Sequence, residues 1–156
     1  MNAFVSIDFA TRDAALAAAE AGNSSSADCS ILRALDRSMT APANNSRVSE
    51  VRIFKSDTNG QALGPVNIYD RSGLTSCPLA DGTAATVAYH QVQSSYPETG
   101  RCNELQGCQV QTTVDTIGVQ ISYAYGWVTP LHWLMPTLGP GYSMVKSNAM
   151  RMEPVL

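Results

Sequence analysis

The side chains whose spacing could carry chemistry are four cysteines (Cys29, Cys77, Cys102 and Cys108), two histidines (His90 and His132) and an Asp57-x-Asn59-Gly60 run. A catalytic cysteine needs a base to make its thiolate, usually a histidine in contact. No nucleophile motif surrounds any of the four, and His132 lies among Leu131, Trp133 and Leu134, where packing is the simpler role. An even count beside polar segments favours two disulfides and an oxidising compartment. Four cysteines allow three pairings. The short Cys102–Cys108 stretch contains Gly107 and suits local closure, which leaves Cys29 for Cys77. Zinc is the alternative, but no C-x₂-C pair is present and the histidines are remote. Asp57-x-Asn59-Gly60 resembles the start of a calcium loop without its closing glutamate, so an ordinary turn is expected and no metal site. No G-x-S-x-G, H-E-x-x-H, phosphate-loop or dinucleotide fingerprint occurs, and no cofactor is expected. Asp8, Asp13, Glu20 and Asp28 read as a solvated helix face or a dipole-favourable helix start.

The elements that would position these groups divide into a helical part over 1–40 and a sheet with loops over 48–156, in one domain. The alanine-rich run predicts a helix over 3–22, with Phe4, Ile7, Leu16 and the alanines as its apolar stripe and Gly22-Asn23 as its stop. Ser25 is the expected cap of a second helix near 27–39, whose Ile31, Leu32, Leu35 and Met39 recur at helical spacing. The period then changes to two. Strands are expected over 48–55 and 66–69 as a hairpin, over 86–93, over 115–128 and over 142–152, with turns over 71–86 and a stapled loop over 94–113. The strongest signal is the run 117–127. Ile117, Val119, Ile121, Tyr123, Tyr125 and Trp127 alternate with small or polar residues, which predicts a half-buried antiparallel strand with its aromatics in the core. Tyr123, Tyr125, Trp127 and Trp133 would otherwise make a sugar-stacking platform. Thr129-Pro130 ends the strand, because proline cannot donate to a ladder. The closing strand is expected to lie beside it, antiparallel.

At 156 residues the chain is long enough to bury a core, and its apolar fraction of 44% is that of a globular protein. Charged residues make up only 15%, and the net charge is −3 with no two basic residues adjacent. This argues against nucleic acid or an anionic membrane surface as partner. No apolar run approaches the roughly 18–20 residues that span a bilayer. Helices first and an antiparallel meander after them predict an α+β fold with the helices on one face of a small sheet, stapled by disulfides.

The carboxyl end resembles the TadE-like family, the pilin-like proteins of the tight-adherence (Tad) pilus system. The resemblance is carried by Asp115-Thr-Ile-Gly-Val-Gln-Ile-Ser-Tyr-Ala-Tyr-Gly-Trp-Val-Thr-Pro-Leu131, with its Thr129-Pro130-Leu131 turn, and by Ser147-Asn-Ala-Met-Arg-Met-Glu-Pro154, with Met150, Arg151, Glu153 and Pro154. The helical run over 8–22 and the hairpin start over 51–60 fit the family as well. The resemblance implies a non-enzymatic minor pilin or pseudopilin, exported and anchored by an amino-terminal membrane helix, with other pilin subunits as partners. The basic leader and apolar helix of that family are missing from this chain, so it is read as the soluble ectodomain, with Met1 as an added start.

Overall fold

The structure is a computed structural model, and it describes residues 3–78, 82–103, 108, 113–126 and 141–152. Two helices come first, α1 (Ala3–Ala21) and α2 (Ala27–Ser38). Among the described residues seven strands follow: β1 (Val48–Ser56), β2 (Ala62–Asp70), β3 (Thr75–Pro78), β4 (Ala84–Val87), β5 (His90–Ser94), β6 (Thr116–Gly126) and β7 (Gly141–Arg151). Five form an antiparallel sheet in the order β5-β2-β1-β6-β7, and β3 and β4 form a separate hairpin. The α+β architecture expected from the sequence is therefore present, with α1 packed on β6 and β7 and against α2.

The break between the helices is local chemistry. Gly22 adopts φ +61°, a left-handed conformation that L side chains avoid, and so ends α1. The buried face of α1 is Ile7 with small residues such as Ala10, Ala14, Ala15 and Ala18. Small side chains let the helix axis approach the sheet and α2 closely. Phe4 and Leu16, expected on this stripe, instead face outward. Ile7 and the small residues fill the interface, so Phe4 and Leu16 have no room in it.

Alternation in β6 runs as the sequence requires. Ile117, Val119, Ile121 and Tyr123 are buried, against Val51 and Ile53 of β1. Tyr123 also places its hydroxyl 3.0 Å from the Asn44 backbone N–H, which donates to it. Tyr125 departs from the expectation of full burial. It is only partly buried, because it lies toward the far end of β6, where its ring meets exposed Tyr142 of β7 at 5.1 Å. The β6–β7 register is continuous from Thr116↔Arg151 to Gly126↔Gly141, which makes the two strands the expected neighbours. Trp127, Thr129, Pro130, Leu131, His132 and Trp133 lie outside the described residues, as do Glu153 and Pro154.

Behind β6 the small-residue face has its own use. The Phe54 ring is buried across Gly118, at a place where an added Cβ would overlap the ring. Gly118→Ala is expected to cost about 1–3 kcal/mol through overpacking, read as a lower urea midpoint at unchanged slope. A neutral result would show that the ring moves aside freely.

Two expected segments are corrected. The run over 86–93 is not one strand: β4 and β5 belong to different sheets, and the chain turns between them at Ala88 and buried Tyr89. The turn-rich region over 71–86 contains β3, half of the small hairpin.

Candidate functional site

The cysteines are all disulfide-bonded, Cys29 to Cys77 and Cys102 to Cys108. This removes the thiolate-zinc and catalytic-thiol alternatives. The first bridge, with Cα atoms 5.5 Å apart, fastens the β3–β4 hairpin to α2. The Asp57 run is a turn. Asp57 Oδ1 accepts from the backbone N–H of Asn59 and of Gln61, both at 2.8 Å, so the carboxylate closes its own loop. Among the described residues no cluster of His, Cys, Asp and Glu is arranged to hold a metal ion.

The structure brings together charged groups that are far apart in sequence. Asp28, expected on a solvated face or at a dipole-favourable helix start, lies in the first turn of α2 and is 3% exposed. Its Oδ1 accepts from Arg101 Nη2 at 2.5 Å, and its Oδ2 accepts from Asn67 Nδ2 and Tyr69 OH, each at 2.7 Å. Two more aspartates repeat the pattern of one phenol and one cation. Asp36 meets Arg71 at 2.9 Å and Tyr89 OH at 3.1 Å. Asp115 meets Lys55 at 2.7 Å and Tyr96 OH at 3.0 Å. Burial raises all three phenols above the ordinary tyrosine range, and the adjacent aspartate charges raise them further. The guanidinium carbons of Arg71 and Arg101 also lie 4.3 Å and 4.8 Å from the ring centres of Tyr89 and Tyr96.

Beside the first cluster lies an open cleft of about 490 Å³, lined by Asp28, Tyr69, Thr75, His90, Gln91 and Glu98 among others. Glu98 Oε1 accepts the Asp28 backbone N–H at 2.7 Å, so a distant carboxylate caps the start of α2. The residue at the cap position is Ser26 rather than Ser25, and its side chain makes no capping bond. Burial raises the Glu98 carboxyl above its usual range, opposed by the N–H of Asp28. The cleft offers hydroxyls, amides and the Glu98 carboxylate, a lining suited to hydrogen bonding.

The third feature is the outer face of α1. Val5, Phe9 and Leu16 are exposed, Phe9 at 62%, and they recur with Arg12 and Glu20 along one side of the helix. Phe4 lies nearby, its ring 3.6 Å from Lys146 Nζ. Large apolar groups lined up on the outside of a helix make a candidate contact surface. The sequence placed Leu16 on the packing stripe and did not single out Val5 or Phe9, because helical periodicity locates an apolar face without saying which side the sheet covers. Of the family-motif residues, Tyr123 lies in the core, Met150 is partly buried against it and Arg151 is exposed. No helix among the described residues is long and apolar enough to cross a membrane.

Compared with models of protein families, with curated proteins and with solved structures, the chain finds no match in any of the three.

Proposed function

We propose that this chain is the extracytoplasmic part of a pilin-like subunit, a minor pilin or pseudopilin of a Tad-type pilus. In this reading it works in pilus biogenesis and surface adhesion through contacts with other subunits, without enzymatic activity. The observation that carries the proposal is the apolar outer stripe of α1, Val5, Phe9 and Leu16, on a helix whose opposite side is already filled by the sheet and α2. Such a helix has one face for its own domain and one for a neighbour. The helix-first order, the sheet and the paired cysteines are consistent with an exported pilin-like domain. The resemblance at residues 115–131 and 147–154 supplies the family.

Phe9→Glu is expected to abolish subunit association, measured by cross-linking in cells or by pilus yield. Monomer stability should change by less than about 0.5 kcal/mol, as for other surface substitutions. Normal assembly by a folded Phe9→Glu subunit would remove α1 as the contact. The gene should also encode an apolar helix directly upstream of residue 2. A stop or a soluble catalytic domain there would sink the proposal.

The polar cleft favours a second reading, a surface module that binds a small polyhydroxylated ligand. Glycan-array screening and thermal shift address it, since a ligand bound only by the folded state raises the melting point.

A further inference from the structure

The three phenol–aspartate–cation clusters differ in one respect. Asp28 and Asp36 face arginines, whose guanidinium is a fixed fork of N–H donors. Asp115 faces Lys55, a primary amine on a flexible stem. At Asp28 both carboxylate oxygens accept hydrogen bonds. At Asp115 the donors converge on Oδ2, from Tyr96 OH at 3.0 Å and from the Cys102 backbone N–H at 3.2 Å. Oδ1 is buried and accepts no aligned hydrogen bond among the described residues, and Lys55 Nζ lies 2.7 Å from it. The ion pair thus holds the amine against the carboxyl group.

That arrangement is the one acyl chemistry uses. Two donors on one oxygen stabilise the charge that develops when a nucleophile adds to the carbonyl carbon. An amine held against the carboxyl group has a high effective concentration. The partners are fixed by the fold. Lys55 is in register with Ile117. The Asp115 backbone N–H donates to Cys102 O, and its carbonyl accepts from Met152 N, both at 2.9 Å. Asp115 itself is 1% exposed, so bulk water has little access to the carboxyl group.

We infer that Lys55 and Asp115 condense into an intramolecular isopeptide bond between Nζ and Cγ. The lysine ammonium passes one proton to Oδ1, leaving a free amine beside a carboxylic acid. Nζ then attacks Cγ, and the carbonyl electron pair moves onto Oδ2, where Tyr96 and Cys102 donate. Nζ gives a second proton to Oδ1, the Cγ–Oδ1 bond breaks, and Oδ1 leaves as water while the carbonyl reforms. Both protons of that water come from the lysine, and nothing is oxidised or reduced. Burial keeps the Tyr96 phenol protonated, and so a donor, through neutral pH. The product is a covalent tie from the end of β1 to the entry of β6. The inference stands apart from the assembly reading.

The experiment is intact-mass spectrometry of the full chain, reduced and denatured, alongside Lys55→Arg. Arginine keeps the charge pair but supplies no amine. The wild type should be one water lighter than its sequence mass. Lys55→Arg should show its full mass and a native circular dichroism spectrum. A digest of the wild type should yield a branched peptide joining Lys55 to Asp115, which decides the matter even if the variant folds poorly. A wild type at full sequence mass overturns the inference. So does a water loss that persists in Lys55→Arg, since that places the dehydration elsewhere.

Discussion

Asp28→Ala should cost about 3–5 kcal/mol, because it leaves a buried guanidinium without its carboxylate. The Arg101 side chain is fully buried. Its Nη2 bonds Asp28 and the Tyr96 carbonyl, while Nε and Nη1 have no hydrogen-bond partner among the described residues. Removing Asp28 also strands Asn67 Nδ2 and Tyr69 OH on one side. The cost is that of an orphaned charge, so removing both members should be milder than adding the two single losses. Asp28→Leu with Arg101→Met should therefore recover part of the loss, as apolar replacements of buried pairs do. Urea denaturation of the two single variants and the double variant measures the coupling. A single-variant loss below about 1 kcal/mol would mean that water reaches Arg101 once Asp28 is gone.

Alkali should unfold the protein steeply. Tyr69, Tyr89 and Tyr96 are held protonated in the fold chiefly by burial, to which the charges of Asp28 and Asp36 add at Tyr69 and Tyr89. In the unfolded chain a phenol titrates near pH 10. Below that value both states are protonated and the full contribution is present. Above it the unfolded state loses protons that the fold retains, so stability falls as pH rises. With three such groups the limiting slope is about 4 kcal/mol per pH unit. Each Tyr→Phe variant should flatten the slope by about 1.4 kcal/mol per pH unit while costing about 1 kcal/mol at neutral pH for the lost hydrogen bond. Chemical denaturation between pH 8 and pH 11 provides the curve. A flat profile would show that these phenols ionise freely.

Neither effect is legible in the sequence, for a physical reason. Asp28 looks like any acidic residue in a first helical turn, and its partner Arg101 stands 73 positions away. Nothing local announces the pairing. Strand β6 is different. Its period of two is a property of adjacent residues, so Ile117, Val119, Ile121 and Tyr123 could be placed on one face in advance. The same rule overreached at Tyr125, where the pattern continues but the cover thins. It also failed to separate β4 from β5, because a run of extended residues does not reveal where the chain leaves one sheet for another. Among the surfaces, the alanines pointed to a helix and Ile7 could be placed on its inner stripe, but only packing turned Phe4 and Leu16 outward.

The strand order sets the tempo of folding. β1 lies at the sheet centre between β2, its neighbour in sequence, and β6, whose Ile121 pairs with Val51 seventy residues earlier. The β1–β2 hairpin and the helix pair need only local contacts, whereas the β1–β6 seam must close a long loop first. Such non-local pairing is the slow step of folding. Until β6 arrives, β1 carries a row of unpaired amides and carbonyls along one side, next to an apolar face. A nascent chain in that state is a template for strand addition by its neighbours. Chaperone demand and aggregation should therefore peak in chains truncated before β6, and fall once residues 116–126 are available to close the seam.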